Sequence, residues 1–296
     1  MGLSILVIAS TTHAQDAPPE QSGRPPPEVK PLVEAPKFSG EVPSAEKNAV
    51  GVAASLSAGG QLTAGNSRLI ALTANGKIET HWSKDTLGAS ILANYGQGAP
   101  PGTAVVETAE NVQGRLRYDR SVLDRAALFL VDTVLHDRFL GLDLRDNFDP
   151  GLKYVFVKAA PTSLWAEVGY DFQYDVRRDD ARVPVDASAH PIAGAPLLDK
   201  THTDHSTRLF VGFHHGFNPE VTLSTGVEYL QSVVDVTRYR ANYDTLFAAK
   251  VTGHLAIGFG LVARIDHAPL PGKERLDTST TVSLIYSYSD VVDVSR

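Results

Sequence analysis

The chain has 296 residues, 43% hydrophobic and 21% charged, enough apolar material for one large all-β domain or two smaller ones. A formal net charge of -7 without a clustered basic run argues against a nucleic-acid partner, because neutralising phosphates takes a concentrated basic surface. The absence of cysteine removes disulfide frameworks and thiolate metal sites, and it suits a chain exported through an oxidising compartment.

At the amino terminus an apolar run, Leu3 to Ala9, precedes Thr12-His13-Ala14. This pattern reads as a signal peptide over residues 1–14 cut after Ala14, although no Lys or Arg precedes the apolar run. No later window approaches the roughly 18 uninterrupted apolar residues of a membrane helix, so any membrane insertion is expected through strands. Residues 15–48 hold Pro18, Pro19, Pro25, Pro26, Pro27, Pro31, Pro36 and Pro43 among charges. Proline removes backbone donors and favours extended conformations, which makes this segment a semi-rigid linker.

Residues 49–296 read as the barrel domain, because from Ala49 onward the signal is alternation with a period of two. Leu164, Ala166, Val168, Tyr170, Phe172, Tyr174 and Val176 interleave with Trp165, Glu167, Gly169, Asp171, Gln173, Asp175 and Arg177. A pleated strand sends these sets to opposite faces, one greasy and one wet. The pattern repeats in about twelve segments, near 50–63, 67–81, 86–97, 108–121, 125–137, 146–158, 163–178, 204–217, 220–236, 239–255, 259–268 and 275–289. Most meet the nine to eleven residues that a tilted strand needs to cross a bilayer.

Tight joins are expected at Trp82–Asp85, Val122–Asp124, Ala159–Thr162, Asn218-Pro219 and Ile257-Gly258. Longer ones fall at Gly98–Glu107, Phe139–Arg145, Asp179–Thr203 and Pro269–Glu274, with Gly65-Asn66 a compact exception. Short and long joins alternate, as short periplasmic turns and longer outside loops do in an outer-membrane barrel. Alternation alone also fits a lipocalin-like barrel or a sandwich with its apolar face inward. Strand length, loop alternation and the tyrosines of the apolar face, among them Tyr95, Tyr118, Tyr154, Tyr170, Tyr229 and Tyr286, favour a transmembrane antiparallel up-and-down β-barrel of about 12 strands. The linker is then expected in the periplasm.

Several segments carry a family resemblance. They are Gly51 to Leu69, with Ser55-Leu56-Ser57 and Thr63-Ala64-Gly65-Asn66-Ser67, the hairpin His81-Trp82-Ser83-Lys84-Asp85, the strand end Tyr95, Asn111 to Tyr118, and Asp137-Arg138-Phe139 through Gly151-Leu152-Lys153-Tyr154. Together they resemble the domain-of-unknown-function family 481, the YdiY-like, salt-induced outer-membrane proteins. The resemblance implies an outer-membrane barrel, in some relatives a link to salt or osmotic conditions, and no established reaction. The chain departs from it in the Asp179 to Thr203 insertion and in the tail Val291 to Arg296, which lacks a terminal aromatic residue.

No catalytic set is expected. His214, His215, Ser206 and Ser224 lie on neighbouring strands without a nucleophile elbow, and a structural role is the reading adopted. His202, Asp204 and His205, with Asp186, His190 and Asp199 before them, match no closed metal-ligand spacing and read as a polar loop. No cofactor is expected. The wet face is the candidate lumen, lined by Lys77, Glu79, Arg115, Arg117, Asp119, Lys153, Glu167, Asp171, Asp175, Arg208, Glu228, Lys250 and Arg264, and also by Arg177, Asp244, Asp266 and Asp277. Neither sign of charge dominates. Such an interior suits a small passive channel for ions or small solutes, or a structural, envelope-stress barrel that pairs its charges and stays shut. A lipid-modifying barrel enzyme is a weaker third class. Expected partners are outer-membrane lipid, lipopolysaccharide and the barrel-assembly machinery.

Overall fold

Alternating side chains need a pleated backbone, and the chain supplies it almost without interruption. The computed structural model describes residues 49–63, 68–99, 103–186 and 190–293. The expected leader, the linker and the Gly65-Asn66 turn lie outside the described residues. The long strands are β1 (Ala49–Thr63), β2 (Arg68–Ser83), β3 (Asp85–Ala99), β4 (Val106–Leu123), β5 (Ala126–Asp137), β6 (Leu142–Ala159), β7 (Thr162–Arg177), β8 (Thr201–Gly216), β9 (Val221–Ser232), β10 (Tyr239–Lys250), β11 (Leu255–Asp266) and β12 (Leu276–Ser289). A two-residue β13 (Val292–Asp293) pairs with the start of β1. Each long strand runs antiparallel to its sequence neighbours, and β12 returns to β1 to close an up-and-down barrel.

The seam is shorter than the other ladders. β1 and β12 pair from Ala53–Ser289 to Gly59–Ser283, whereas β1 and β2 pair from Ala49–Ser83 to Thr63–Leu69. Beyond the ladder, Asp290 secures the seam, its Oδ1 accepting from the Val52 amide at 2.6 Å.

The connections sort by end. Where β1 begins and β12 ends, the strands join through residue 84, residues 124–125, 160–161, 217–220 and 251–254. The opposite end carries 138–141, 178–200, 233–238 and 267–275. Several expected boundaries were misplaced, among them the start of β6, at Leu142 and not 146, and of β8, at Thr201 and not 204. The β10–β11 turn lies at 251–254 rather than at Ile257-Gly258, with Thr252 Oγ1 accepting the Leu255 amide at 3.2 Å. Gly258 is instead a ladder residue facing inward, where an added Cβ would lie 2.7 Å from Ile285 Cδ1, so its small size serves packing and not a turn. The ninth strand ends at Ser232 and not near residue 236, because Asp235 accepts from the Thr237 amide and hydroxyl and folds 233–238 into a loop.

Which face turns outward is settled by exposure. Val168 is 49% exposed and its chain neighbour Glu167 only 3%. The same alternation leaves Leu56, Ile91, Leu116, Leu152, Val211 and Val282 exposed around the circumference. An apolar belt on this scale is stable against hydrocarbon and not against water, so the wall spans a membrane. Aromatic side chains flank the belt at both rims, with Trp82, Tyr118, Tyr154, Phe156, Tyr286 and Tyr288 toward the short turns. Tyr95, Tyr170, Tyr174, Tyr229 and Tyr239 lie toward the long loops. Such rings place their bodies in lipid and their hydroxyls among headgroups.

The face assignment can be measured. Val168→Arg, in the middle of β7 on the outer wall, is expected to destabilise the inserted barrel by about 2–4 kcal/mol. The same charge at Asn75, on the inner face of β2, should cost about 0.5 kcal/mol, as ordinary surface substitutions do. Denaturant unfolding in lipid vesicles reads both, and equal costs would contradict the assignment.

Candidate functional site

The inner face is built from two unlike halves. On the β4–β10 side, large charged residues project inward at alternate positions, and their partners sit on the same strand, on adjacent strands and on strands farther round the barrel. Arg117 on β4 donates to Glu167 on β7 at 2.7 Å and to Asp119 on its own strand at 2.6 Å. Lys153 on β6 reaches Asp119 at 2.6 Å. Arg208 on β8 bridges Glu167 at 2.8 Å and Glu228 on β9 at 2.7 Å. Arg240 on β10 crosses to Asp171 on β7 at 2.8 Å, and Arg145 on β6 grips Asp175 with Nε and Nη2, both at 2.8 Å. The acids therefore stack along β7 as Glu167, Asp171 and Asp175, each meeting a guanidinium from another strand.

Burying such charges is costly unless their hydrogen-bonding capacity is filled, and Glu167, Glu228 and Asp171 each have both carboxylate oxygens engaged. Glu167 accepts from Arg117 at one oxygen and Arg208 at the other. Glu228 accepts from Arg208 and from the Asn242 amide, and Asp171 from Arg240 and the Asn147 amide. Phe129 on β5 lies beneath two guanidiniums, with its ring centroid 4.8 Å from Arg117 Cζ and 5.4 Å from Arg208 Cζ, a cation–π arrangement that holds both flat. Toward the short turns the stack ends on Val155, Trp165 and Phe210. The indole of Trp165 occupies the space a side chain at Gly212 would need.

The β12–β1–β2–β3 side is lined by small polar groups. Ser55, Ser57, Asn75, Ser90 and Ser283 are half-buried, as is the Lys77–Glu79 pair at 3.1 Å, and they outline a water-accessible vestibule toward the short turns. Nearer the loops the lining closes, with Thr73, Asn94, Ser279 and Thr281 buried and Asn94 bonded to Asn111 at 2.7 Å.

The candidate lumen residues thus take four settings. Arg115, Arg117, Asp119, Lys153, Glu167, Asp171, Asp175, Arg208 and Glu228 belong to the filled half, together with Asp244. Lys77 and Glu79 face the vestibule. Arg264, Asp266, Asp277 and Arg177 sit near the loops, Arg177 donating to the Asp199 carbonyl at 3.0 Å. Lys250 has the inward parity of β10 but lies exposed at its turn-side end. Sequence reasoning missed Arg145, because the sixth strand was expected to begin at 146 and not at Leu142. It also missed Arg240, Asn147 and Asn242, which share the parity of residues it did select. Of the other groups weighed, His214 Nδ1 lies 2.8 Å from Ser224 Oγ and His215 Nδ1 2.9 Å from Thr162 Oγ1. His202, Asp204 and His205 belong to β8, not to a loop. His202 bonds Arg238 and Asp204 bonds Ser232 on the inner side, while His205 bonds the Tyr170 hydroxyl on the outer face.

Long loops meet over the far mouth. An added Cβ at Gly141, which has φ +77°, would lie 2.5 Å from Ala181 Cβ and 3.3 Å from Leu270 Cδ1, so segments 138–141, 178–200 and 267–275 converge there. Loop 178–200 is tied down by Lys200, whose Nζ reaches Asp143 at 3.0 Å and Asp179 at 3.1 Å. Hydrogen bonds from Lys200 and then Arg182 hold the Asp179 carboxyl below its ordinary range, and bonds to Asp143 and Asp179 raise the Lys200 ammonium.

Two outcomes follow from these contacts. Glu167→Ala removes one carboxylate from each of Arg117 and Arg208, leaving them Asp119 and Glu228, and is expected to cost about 3 kcal/mol in vesicle unfolding, the low end for a broken buried pair. The double variant with Arg117→Ala should fall short of the summed single costs by about 0.5–3 kcal/mol, and strict additivity would refute the coupling. For the loop, a depressed Asp179 stabilises above its unfolded pKa, near 3.9, and loses that contribution as pH falls through its lower folded value. The raised Lys200 loses its contribution above its ordinary 10.5. Hydrogen exchange of 178–200 should therefore be slow between about pH 4 and 10 relative to intrinsic rates and should lose protection below that window, and a protection factor flat down to pH 2 would contradict the anchor.

A closed antiparallel wall with an apolar outer belt and a charged, layered interior defines a membrane-spanning β-barrel. Within that class, the chain belongs to the family described as "Protein of unknown function, DUF481", whose model matches residues 56–288. No curated protein matches it. Among solved structures, the NanC porin is similar at 13% identity and a TM-score of 0.44, covering 79% of this chain and 97% of that one. An outer membrane channel from Pseudomonas putida F1 is similar at 10% identity and 0.43, covering 87% and 100%. The beta domain of the Bordetella autotransporter BrkA is similar at 12% and 0.41, covering 82% and 100%.

Proposed function

We propose that the protein is a narrow passive channel of the bacterial outer membrane for ions or small solutes. The observation that carries this reading is the eccentric interior. One half is filled by paired charges, while the other is lined by serines and an asparagine small enough to leave a water-accessible vestibule at the short-turn end of β12, β1, β2 and β3. Fixed hydroxyls and one ion pair suit passage of hydrated solutes, because they replace part of a hydration shell without binding tightly. Short turns at one end, long loops at the other and aromatic rims fit outer-membrane insertion, with residues 15–48 in the periplasm and the long loops among lipopolysaccharide. Barrel-assembly machinery and outer-membrane lipid are the partners that follow from this placement.

A second reading, a structural or osmotic-stress barrel without flux, is favoured by the loops that converge over the mouth at Gly141, Ala181 and Leu270. Single-channel recording in planar bilayers separates the two. The parent is expected to conduct in small steps, and Ser57→Trp, which fills the vestibule, should reduce the step severalfold. Arg115→Ala with Arg117→Ala should change step size and ion preference. If the parent, this pair of substitutions and a variant lacking 183–197 all stay silent where a control porin opens, the structural reading replaces the channel.

A further inference from the structure

Beneath the loops that cross the mouth lies a cavity of about 110 Å³. This is smaller than the roughly 150 Å³ that admits benzene, so its occupant has about five heavy atoms. The lining divides by chemistry. The lining includes Arg145 on β6 and Arg240 on β10, a roof of Leu140 and Leu270 from the loops that cross the mouth, and Leu142 at the start of β6. Arg145 uses Nε and Nη2 on Asp175, and Arg240 uses Nη2 on Asp171. Nη1 of Arg145 and Nε and Nη1 of Arg240 remain as donors on two side chains that face this space. The carboxylates that hold them belong to β7 and do not line the cavity. On the β11–β12 side the lining charges balance, with Arg264, Lys273 and Arg275 set against Asp266, Glu274 and Asp277.

Guanidinium donors beside an apolar roof select for both ends of a ligand. A planar carboxylate can take a charge-assisted N–H donor from each of two guanidiniums, one at each oxygen. A short carbon chain is stabilised where it leaves water against leucine. An ammonium would face two fixed positive groups, and an inorganic anion would gain nothing from the roof. We infer that this cavity is a binding site for a short-chain carboxylate, with its head group on Arg145 and Arg240 and its carbon chain against Leu140, Leu142 and Leu270. The site stands whether or not the barrel conducts.

The test is calorimetric titration of the full chain, folded in detergent, with sodium propionate. Sodium phosphate and propylammonium chloride serve as comparison ligands. One saturable propionate site per chain is expected. Arg240→Gln should weaken it at least about tenfold, the scale of a lost hydrogen bond to a charged group. Leu270→Trp, a loop substitution that leaves every ion pair in place and fills the cavity, should abolish binding, and it decides the matter if Arg240→Gln does not fold. Absent saturation, equal affinity in the parent and Leu270→Trp, or stronger binding of propylammonium each overturns the site. Phosphate binding as tightly as propionate overturns the assigned ligand class. A parent that conducts but fails this titration leaves the channel reading intact, and one that binds but never conducts leaves the site intact.

Discussion

In hydrocarbon no water can satisfy a peptide group, so every N–H and C=O of a spanning segment must find a partner within the protein. That constraint shapes this molecule. Antiparallel neighbours fill each ladder, and the β1–β12 pairing turns what would be two exposed edges into a wall. Once the wall closes, a period of two has a fixed meaning: one parity meets lipid and the other meets the interior. The exposure of Val168 beside the burial of Glu167 is the local expression of that division.

An interior reached this way is confined, and confinement changes the worth of a charge. Arg208 and Glu167, each 1% exposed at the side chain, interact far more strongly than a surface pair because little water screens them. The same burial penalises any charge without a partner, and the acids of β7, spaced four residues apart, meet guanidiniums from β4, β6, β8 and β10. Cross-barrel pairs hold the wall's shape on one side. The opposite side is lined instead by small polar groups, half-buried toward the short turns and buried nearer the loops.

Much of this was legible in the sequence, because alternation is a local property and a strand of sixteen residues such as β7 displays it without help from the rest of the chain. Parity was enough to place Arg117, Glu167 and Arg208 on one face. Pairing was not legible. That Arg240 meets Asp171, or that Arg117 meets Glu167 three strands away, depends on barrel register and curvature, which no single strand encodes. Gly258 shows a different failure. A glycine in a strand signals a turn as readily as a tight inward approach, and only the neighbouring Ile285 and Ser283 distinguish the two. Arg145 escaped because β6 begins earlier than its hydrophobic pattern suggests.

The seam gives the cylinder a grain. Along the arc from β4 to β10, strands are fastened twice, by their ladders and by ion pairs reaching across the interior. Between Ala53–Gly59 and Ser283–Ser289 the fastening is chiefly the ladder itself, which is slightly less than half as long as the β1–β2 join. A hoop of uneven strength yields at its weakest stave. The braced arc from β4 to β10 can thus persist as a curved, preshaped trough while the first and last strands are apart, and cylindrical closure asks for little more than bringing two edges together along a short line.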